Sequence, residues 1–316
     1  MLTHFKEKYI GSASFYRRYL CLALPMILQN AITNLVSFLD NIMVGQLGTE
    51  PMSGVAIVNQ LIFVYNLAIF GAVSAASIFG AQYFGKGNHK GHMHSFRFKL
   101  YASLTMTAAA ILLFITKGST LISLYLTDTT GSGATEAALQ YGLEYFAIMM
   151  IGLIPFAINQ SYATNIKETG QTMIPMIASF AAGGLNAVLD YLLIFGLGPI
   201  PKMGVVGAAL ATVIARYIEA LIVIVWAHTN RAKNRYLEGA YRGFGIPKAE
   251  FKAILIKGLP LMLNEVFWAA GMTTVTQCYS VRGLEVIAGL NIATTITNLF
   301  NIIYIQLGGC ISIIVG

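Results

Sequence analysis

Charge is what this sequence has least of. Only 10% of its 316 residues are Asp, Glu, Lys or Arg, against about a quarter in a soluble domain. That is too few to cover a folded surface in water, which excludes the soluble classes. Cysteine is also scarce. Cys21, Cys278 and Cys310 lie in or beside apolar stretches with no paired or metal-type spacing, and they read as small buried hydrophobes. Motifs for covalent or nucleotide chemistry are missing: no Walker A loop, HExxH or GxSxG occurs. An ATP-driven pump would therefore need another subunit, and a membrane-embedded enzyme or receptor is disfavoured. The short alternating segments of a membrane β-barrel are absent too.

What the chain does have is apolar sequence, 56% of it hydrophobic, with a mean hydropathy of +0.68. It comes in blocks long enough to cross hydrocarbon of roughly 30 Å, which takes about 20 helical residues. The expected spans are 19–45, 53–80, 98–116, 141–165, 172–196, 204–228, 254–279 and 286–315, eight in all. Residues 118–127 read as a short interfacial segment. The start of the chain does not read as a signal peptide, because Lys6, Glu7, Lys8, Arg17 and Arg18 precede a span too long for a cleavable apolar region.

Loop charge sets the expected topology. Lys6, Lys8, Arg17 and Arg18 precede the first span, and Lys86, Lys90, Arg97 and Lys99 lie between spans two and three or at the start of span three. Lys167 follows span four, and seven basic residues from Arg231 to Lys257 fall between spans six and seven or at the start of span seven. The opposite connections hold only Lys117, Lys202 and Arg282. The positive-inside rule then makes the N-terminus cytoplasmic. The net charge of +7 belongs to these loops and is not a nucleic-acid signal.

The chain also repeats itself. At an offset of about 235 residues, Leu24-Pro25 meets Leu259-Pro260 and Leu28 meets Leu263. In the same register Gly48 meets Gly283, Gly54 meets Gly289, and Ser77-Ile78 meets Ser312-Ile313. Parallel repeats joined by a long link are a transporter plan, with the substrate path at their interface. The expected organisation is a six-helix lobe over 1–230, a link over 231–252, and the first two helices of a second, incomplete lobe over 253–316. The chain thus reads as a C-terminally truncated part of a longer protein.

Ionisable groups within spans are functional candidates by default. Asn30, Thr33, Ser37 and Asp40 recur at three- and four-residue steps and share one face of span one. Asp40 either lines a cavity with them or meets water at the outer interface. In span five, Asn186 and Asp190 stack one turn apart, with Thr212 of span six the nearest hydroxyl candidate. Two carboxylates, an amide and a hydroxyl can coordinate a hard cation such as Na⁺, share a proton, or form an ion-free interhelical staple. Glu265 with Trp268, in span seven, can contact an organic cation, serve as a second proton site, or simply pack. Arg216 and Glu219 are spaced to form a structural ion pair. The run His89, His92 and His94 reads as a solvated basic turn rather than a metal site.

These stretches resemble the multidrug and toxic compound extrusion (MATE) transporters. The matching segments are LALPMILQNAITNLVSFLDNIMVGQLG, GAQYFGKGN, KETGQTMIPM, NAVLDYLLIFG, GVVGAALATVIAR and GLPLMLNEVFW. The resemblance implies a twelve-helix, two-lobe fold built from six-helix repeats, of which about eight helices are present. It implies secondary antiport, with Na⁺ or H⁺ entry driving export of cationic drugs or toxic metabolites across a bacterial plasma membrane. A lipid-linked oligosaccharide flippase of the same superfamily is the alternative. Position by position, Asp40, Asn186, Asp190 and Thr212 match the cation site of the first lobe, and Glu265 matches an acidic residue of the second. No cofactor and no nucleic-acid partner is implied, and the expected state is a monomer in contact with membrane lipid.

Overall fold

The computed structural model describes residues 11–124, 132–199, 201–243, 245–280 and 284–315. Nine long helices account for nearly all of them: α1 (Ala13–Gly45), α2 (Thr49–Gly85), α3 (His89–Ser123), α4 (Ser132–Ile151), α5 (Leu153–Glu168), α6 (Met173–Phe195), α7 (Val205–Thr229), α8 (Lys248–Ser280) and α9 (Leu284–Val315). A single 3-10 turn, Arg235–Leu237, interrupts the link between α7 and α8. Among the described residues, five helices are long and apolar enough to cross a membrane by length and composition, and six if the bent pair α4–α5 counts as one span. The remaining long helices, α8 and α9, occupy the ranges expected for spans seven and eight.

Two expectations change. The segment 118–127 is not a separate interfacial piece up to its midpoint, because α3 continues unbroken to Ser123; residues 125–127 lie outside the described ones. Span four is two helices bent by 44°. The cause is local. Gly152 sits at the junction, and Pro155 has no N–H with which to continue the helical hydrogen-bond ladder.

Lipid is as apolar as a leucine side chain, so helices associate here through close packing rather than expulsion of water. On α2, Val55, Val58, Ile62, Tyr65, Ile69 and Val73 are buried at three- and four-residue steps, one continuous face. That face packs with Phe146, Met149, Leu153 and Ala209 in the main core. Glycine permits the closest approach. A Cβ on Gly54 would meet the carbonyl oxygen of Ala138 and stand 2.8 Å from the backbone nitrogen of Gly142, so α2 and α4 touch backbone to backbone. Helices α6 and α7 pack together, and α6 also lies along α1. Of the second repeat, α8 packs on α2 and α9 on α1.

The link is not free chain. Tyr236, Leu237 and Ala240 are buried with Phe96, Tyr162, Ile166 and Val223 in a second core. Arg97 of α3 donates to the carbonyls of Ala240 (2.9 Å), Gly245 (2.8 Å) and Gly239 (2.7 Å). Helix α8 starts at Lys248, earlier than the expected boundary at 253.

Candidate functional site

Helix α6 brings Asn186 and Asp190 inward on one face, 2% and 0% exposed. Gly183 lies one turn before Asn186. A Cβ there would stand 2.8 Å from Val36 Cγ2, so this glycine lets α1 approach closely. The approach brings Asp40 near Asp190, so that the two carboxyl groups interact electrostatically, with the Asn186 amide beside Asp190. Asp40 Oδ1, both carboxylate oxygens of Asp190 and both amide atoms of Asn186 are buried without a completed hydrogen bond. Such orphaned polar atoms are rare in folded proteins and call for an occupant. The unsatisfied acceptors are oxygens, the ligand type of a hard cation, and two neighbouring carboxylates are also the arrangement that holds a shared proton.

Thr212 is half-buried on α7, and no described hydrogen bond joins it to these three residues. The structure adds Tyr145 and Asn59, which sequence reasoning missed. Tyr145 of α4, 4% exposed, interacts electrostatically with Asp40, Asp190 and Arg216, and its hydroxyl donates to Asn59 Oδ1 at 3.2 Å. A tyrosine in an apolar span reads locally as ordinary packing, so only the tertiary contact reveals it.

The expected pair between Arg216 and Glu219 does not form. Arg216 reaches back to the bend, donating to the Gly152 carbonyl at 3.4 Å with its guanidinium 5.2 Å from the Phe156 ring centre. Glu219 instead accepts from Ser179 Oγ at 2.5 Å, and Ser179 accepts from Gln29 Nε2 at 2.9 Å. The broken α4–α5 pair offers Arg216 a carbonyl, and α6 offers Glu219 a hydroxyl; each charge takes the partner on the neighbouring helix. The relay Gln29–Ser179–Glu219 across α1, α6 and α7 was also missed. Its signal was two polar residues in apolar spans.

The stripe on α1 does not converge on the acid pair. Asn30 donates to the Met26 carbonyl (3.2 Å), Thr33 to Gln29 (3.0 Å) and Ser37 to Thr33 (3.1 Å). Thr33 and Ser37 are exposed. Trp268 is exposed on α8 at 54%; Glu265 lies on the same helix, and its side chain is outside the described ones.

The histidine run is not a solvated turn. It forms the first turns of α3. His89 is exposed, whereas His92 Nε2 lies 3.2 Å from Glu168 and His94 Nδ1 2.7 Å from Glu250. Lys99, read from sequence as a loop cation, is fully buried and paired with Glu168. Arg97 is 6% exposed.

Similarity to known proteins runs the length of the chain. A probable multidrug resistance protein NorM of Thermotoga maritima is 27% identical over 283 residues, 88% of this chain and 58% of the relative. Its counterpart in Oceanobacillus iheyensis is 26% identical over 300 residues, 94% and 65%. The chain thus spans less than two thirds of the length of these relatives. Among solved structures, a MATE protein in the bent conformation aligns with a TM-score of 0.80 at 23% identity, over 93% of this chain and 63% of that one. A MOP superfamily transporter from Pyrococcus furiosus aligns at 0.76 and 22%, over 93% and 62%. These neighbours share an all-helical fold, that of twelve-helix, two-lobe transporters. The MatE family profile covers residues 25–192, more than half of the chain, including Asp40, Asn186 and Asp190, and the chain belongs to that family.

Proposed function

We propose that the protein is a secondary antiporter that exports organic cations in exchange for Na⁺ or H⁺, multi-pass in a bacterial plasma membrane with its N-terminus cytoplasmic. The facing carboxylates of Asp40 and Asp190, buried with unsatisfied oxygens, carry this reading. Two ionised carboxylates in a poorly polarisable interior repel, and a bound Na⁺ or a shared proton relieves that repulsion. Arg216 is the one cationic group described as acting on the pair, and two acids against one cation favour a positive ligand over the anionic pyrophosphate of a lipid-linked sugar. The multidrug-resistance names of the NorM relatives support the cargo class.

In this mechanism cation binding stabilises one arrangement of the lobes and drug binding the other, because a ligand shifts an equilibrium only through its differential affinity. Asn186 completes the oxygen set, and Tyr145 supplies a hydroxyl at its edge. Thr212, half-buried on α7, is a further candidate ligand. Residues 1–230 form the first lobe and 253–316 the opening helices of the second. The packing supports that division: the repeat exchanges α1 with α8 and α2 with α9, and so maps the observed α1–α9 contact onto the observed α2–α8 contact.

The test is ethidium efflux from cells producing the full-length protein with both lobes, with Na⁺ and pH gradients imposed separately. Wild-type efflux should follow one gradient, while Asp40→Asn and Asp190→Asn abolish it and still insert in the membrane. Full efflux in both variants, or none from the wild type, overturns the proposal.

A further inference from the structure

A polar cavity opens at the opposite end of the lobe from the Lys202 loop, where three connections meet: the α2–α3 turn, the α5–α6 turn and the link after α7. It has a volume of about 330 Å³, and its lining includes His89, His92, Gln171, Lys233, Arg235 and Tyr236. Among its described lining residues there is no acid. Lys233, Arg235 and His89 are exposed, and no described ion pair engages any of them. The acid that meets the lining His92, Glu168, is already paired with Lys99, so an anion joining Lys233 and Arg235 lowers their mutual repulsion.

A second observation is independent of that charge. Tyr236 is 1% exposed, yet its hydroxyl has no hydrogen-bond partner. Burial, with Tyr162 and Glu168 close by, holds the phenol pKa well above the usual tyrosine range, so the group stays protonated and is an unused donor. His89 also begins α3, where the helix macrodipole is positive.

We propose that this cavity, lined by His89, Lys233, Arg235 and Tyr236, binds a phosphate group carried by an anionic phospholipid headgroup or by a free phosphate. The connections that build the cavity are the basic ones, and basic pockets between membrane helices on the cytoplasmic side are suited to lipid phosphates. A phosphate there bridges the α2–α3 turn to the link and holds the link against the first lobe. Neither acid of the Asp40–Asp190 pair takes part, so the site is separate from ion coupling.

The test uses the whole chain, delipidated in neutral detergent. Phosphatidylglycerol and phosphatidylcholine are titrated separately and retention is read by native mass spectrometry; inorganic phosphate binding is read by ³¹P line broadening. The double variant Lys233→Gln/Arg235→Gln changes only exposed side chains, and Lys202→Gln at the other end is the control. Loss of two charges should weaken phosphatidylglycerol retention by at least about tenfold and leave phosphatidylcholine unchanged. Tyr236→Phe, which removes only the hydroxyl, should weaken it by about threefold to tenfold. A variant effect on phosphatidylglycerol identifies a lipid source; an effect on inorganic phosphate alone identifies a free anion. If the double variant matches the wild type for both, the proposal is overturned.

Discussion

Asp40 and Asp190 stand alone in their own apolar helices, and it was the family resemblance that grouped them with Asn186 and Thr212 as one expected site. Tertiary approach of α1 to α6 makes them a pair, and it adds Tyr145, whose hydroxyl bonds Asn59 at 3.2 Å. Tyr145→Phe should preserve folding and lower efflux or shift its ion dependence, because the ring still fills its place while the hydroxyl beside the acids is gone. Unchanged efflux across Na⁺ and pH gradients would show that the tyrosine only packs. Lys99 illustrates the opposite error of local reading. Its position between spans suggested a solvated cation, yet it is fully buried against Glu168 and Asn165 Oδ1. Lys99→Met should cost about 3–5 kcal/mol, since it leaves a buried carboxylate without its main counter-charge. Adding Glu168→Gln should restore part of that loss, measured as thermal stability in detergent.

Helices were the most legible level. Eight apolar blocks were evident from length alone, and every one of them carries helix. The ends were less legible, because hydropathy falls where a helix leaves lipid while the backbone hydrogen bonding of α3 continues from His89 to Ser123. The bend at Gly152 was not foreseen either; Gly and Pro occur throughout membrane helices, and their presence alone does not say which one breaks. Glycines separate the same way. Gly54→Leu should destabilise the protein by about 1–3 kcal/mol or more through overpacking, because the Gly54 position faces the backbone of α4. Gly184, with nothing within 4 Å of the place a Cβ would take, should accept Ala with no loss. Thermal unfolding of the two variants side by side checks this contrast.

At the scale of the molecule, the internal repeat implied two related halves, and α9 packs on α1 while α8 packs on α2. The link between the halves was read as a polar connection. It is instead docked on α3, α5 and α7, with Arg97 holding three of its carbonyls. Arg97→Gln should free it, and trypsin cleavage at Arg242 should accelerate by about tenfold or more, as local opening becomes easier. Equal digestion of variant and wild type would argue that the buried Tyr236 and Leu237 suffice to hold the link.

The sequence alone determined the membrane class, the helical spans, the repeat and the rarity of the acids within the spans, because hydropathy and helical period are properties of neighbouring residues. Tertiary structure decided the rest: that Tyr145 joins the acids, that Arg216 turns to Gly152 and Glu219 to Ser179, and that Lys99 and Arg97 are buried. Each of those outcomes depends on which helix faces which. In lipid that choice rests on shape, small residues and available hydrogen-bond partners rather than on hydrophobicity, which all the helices share.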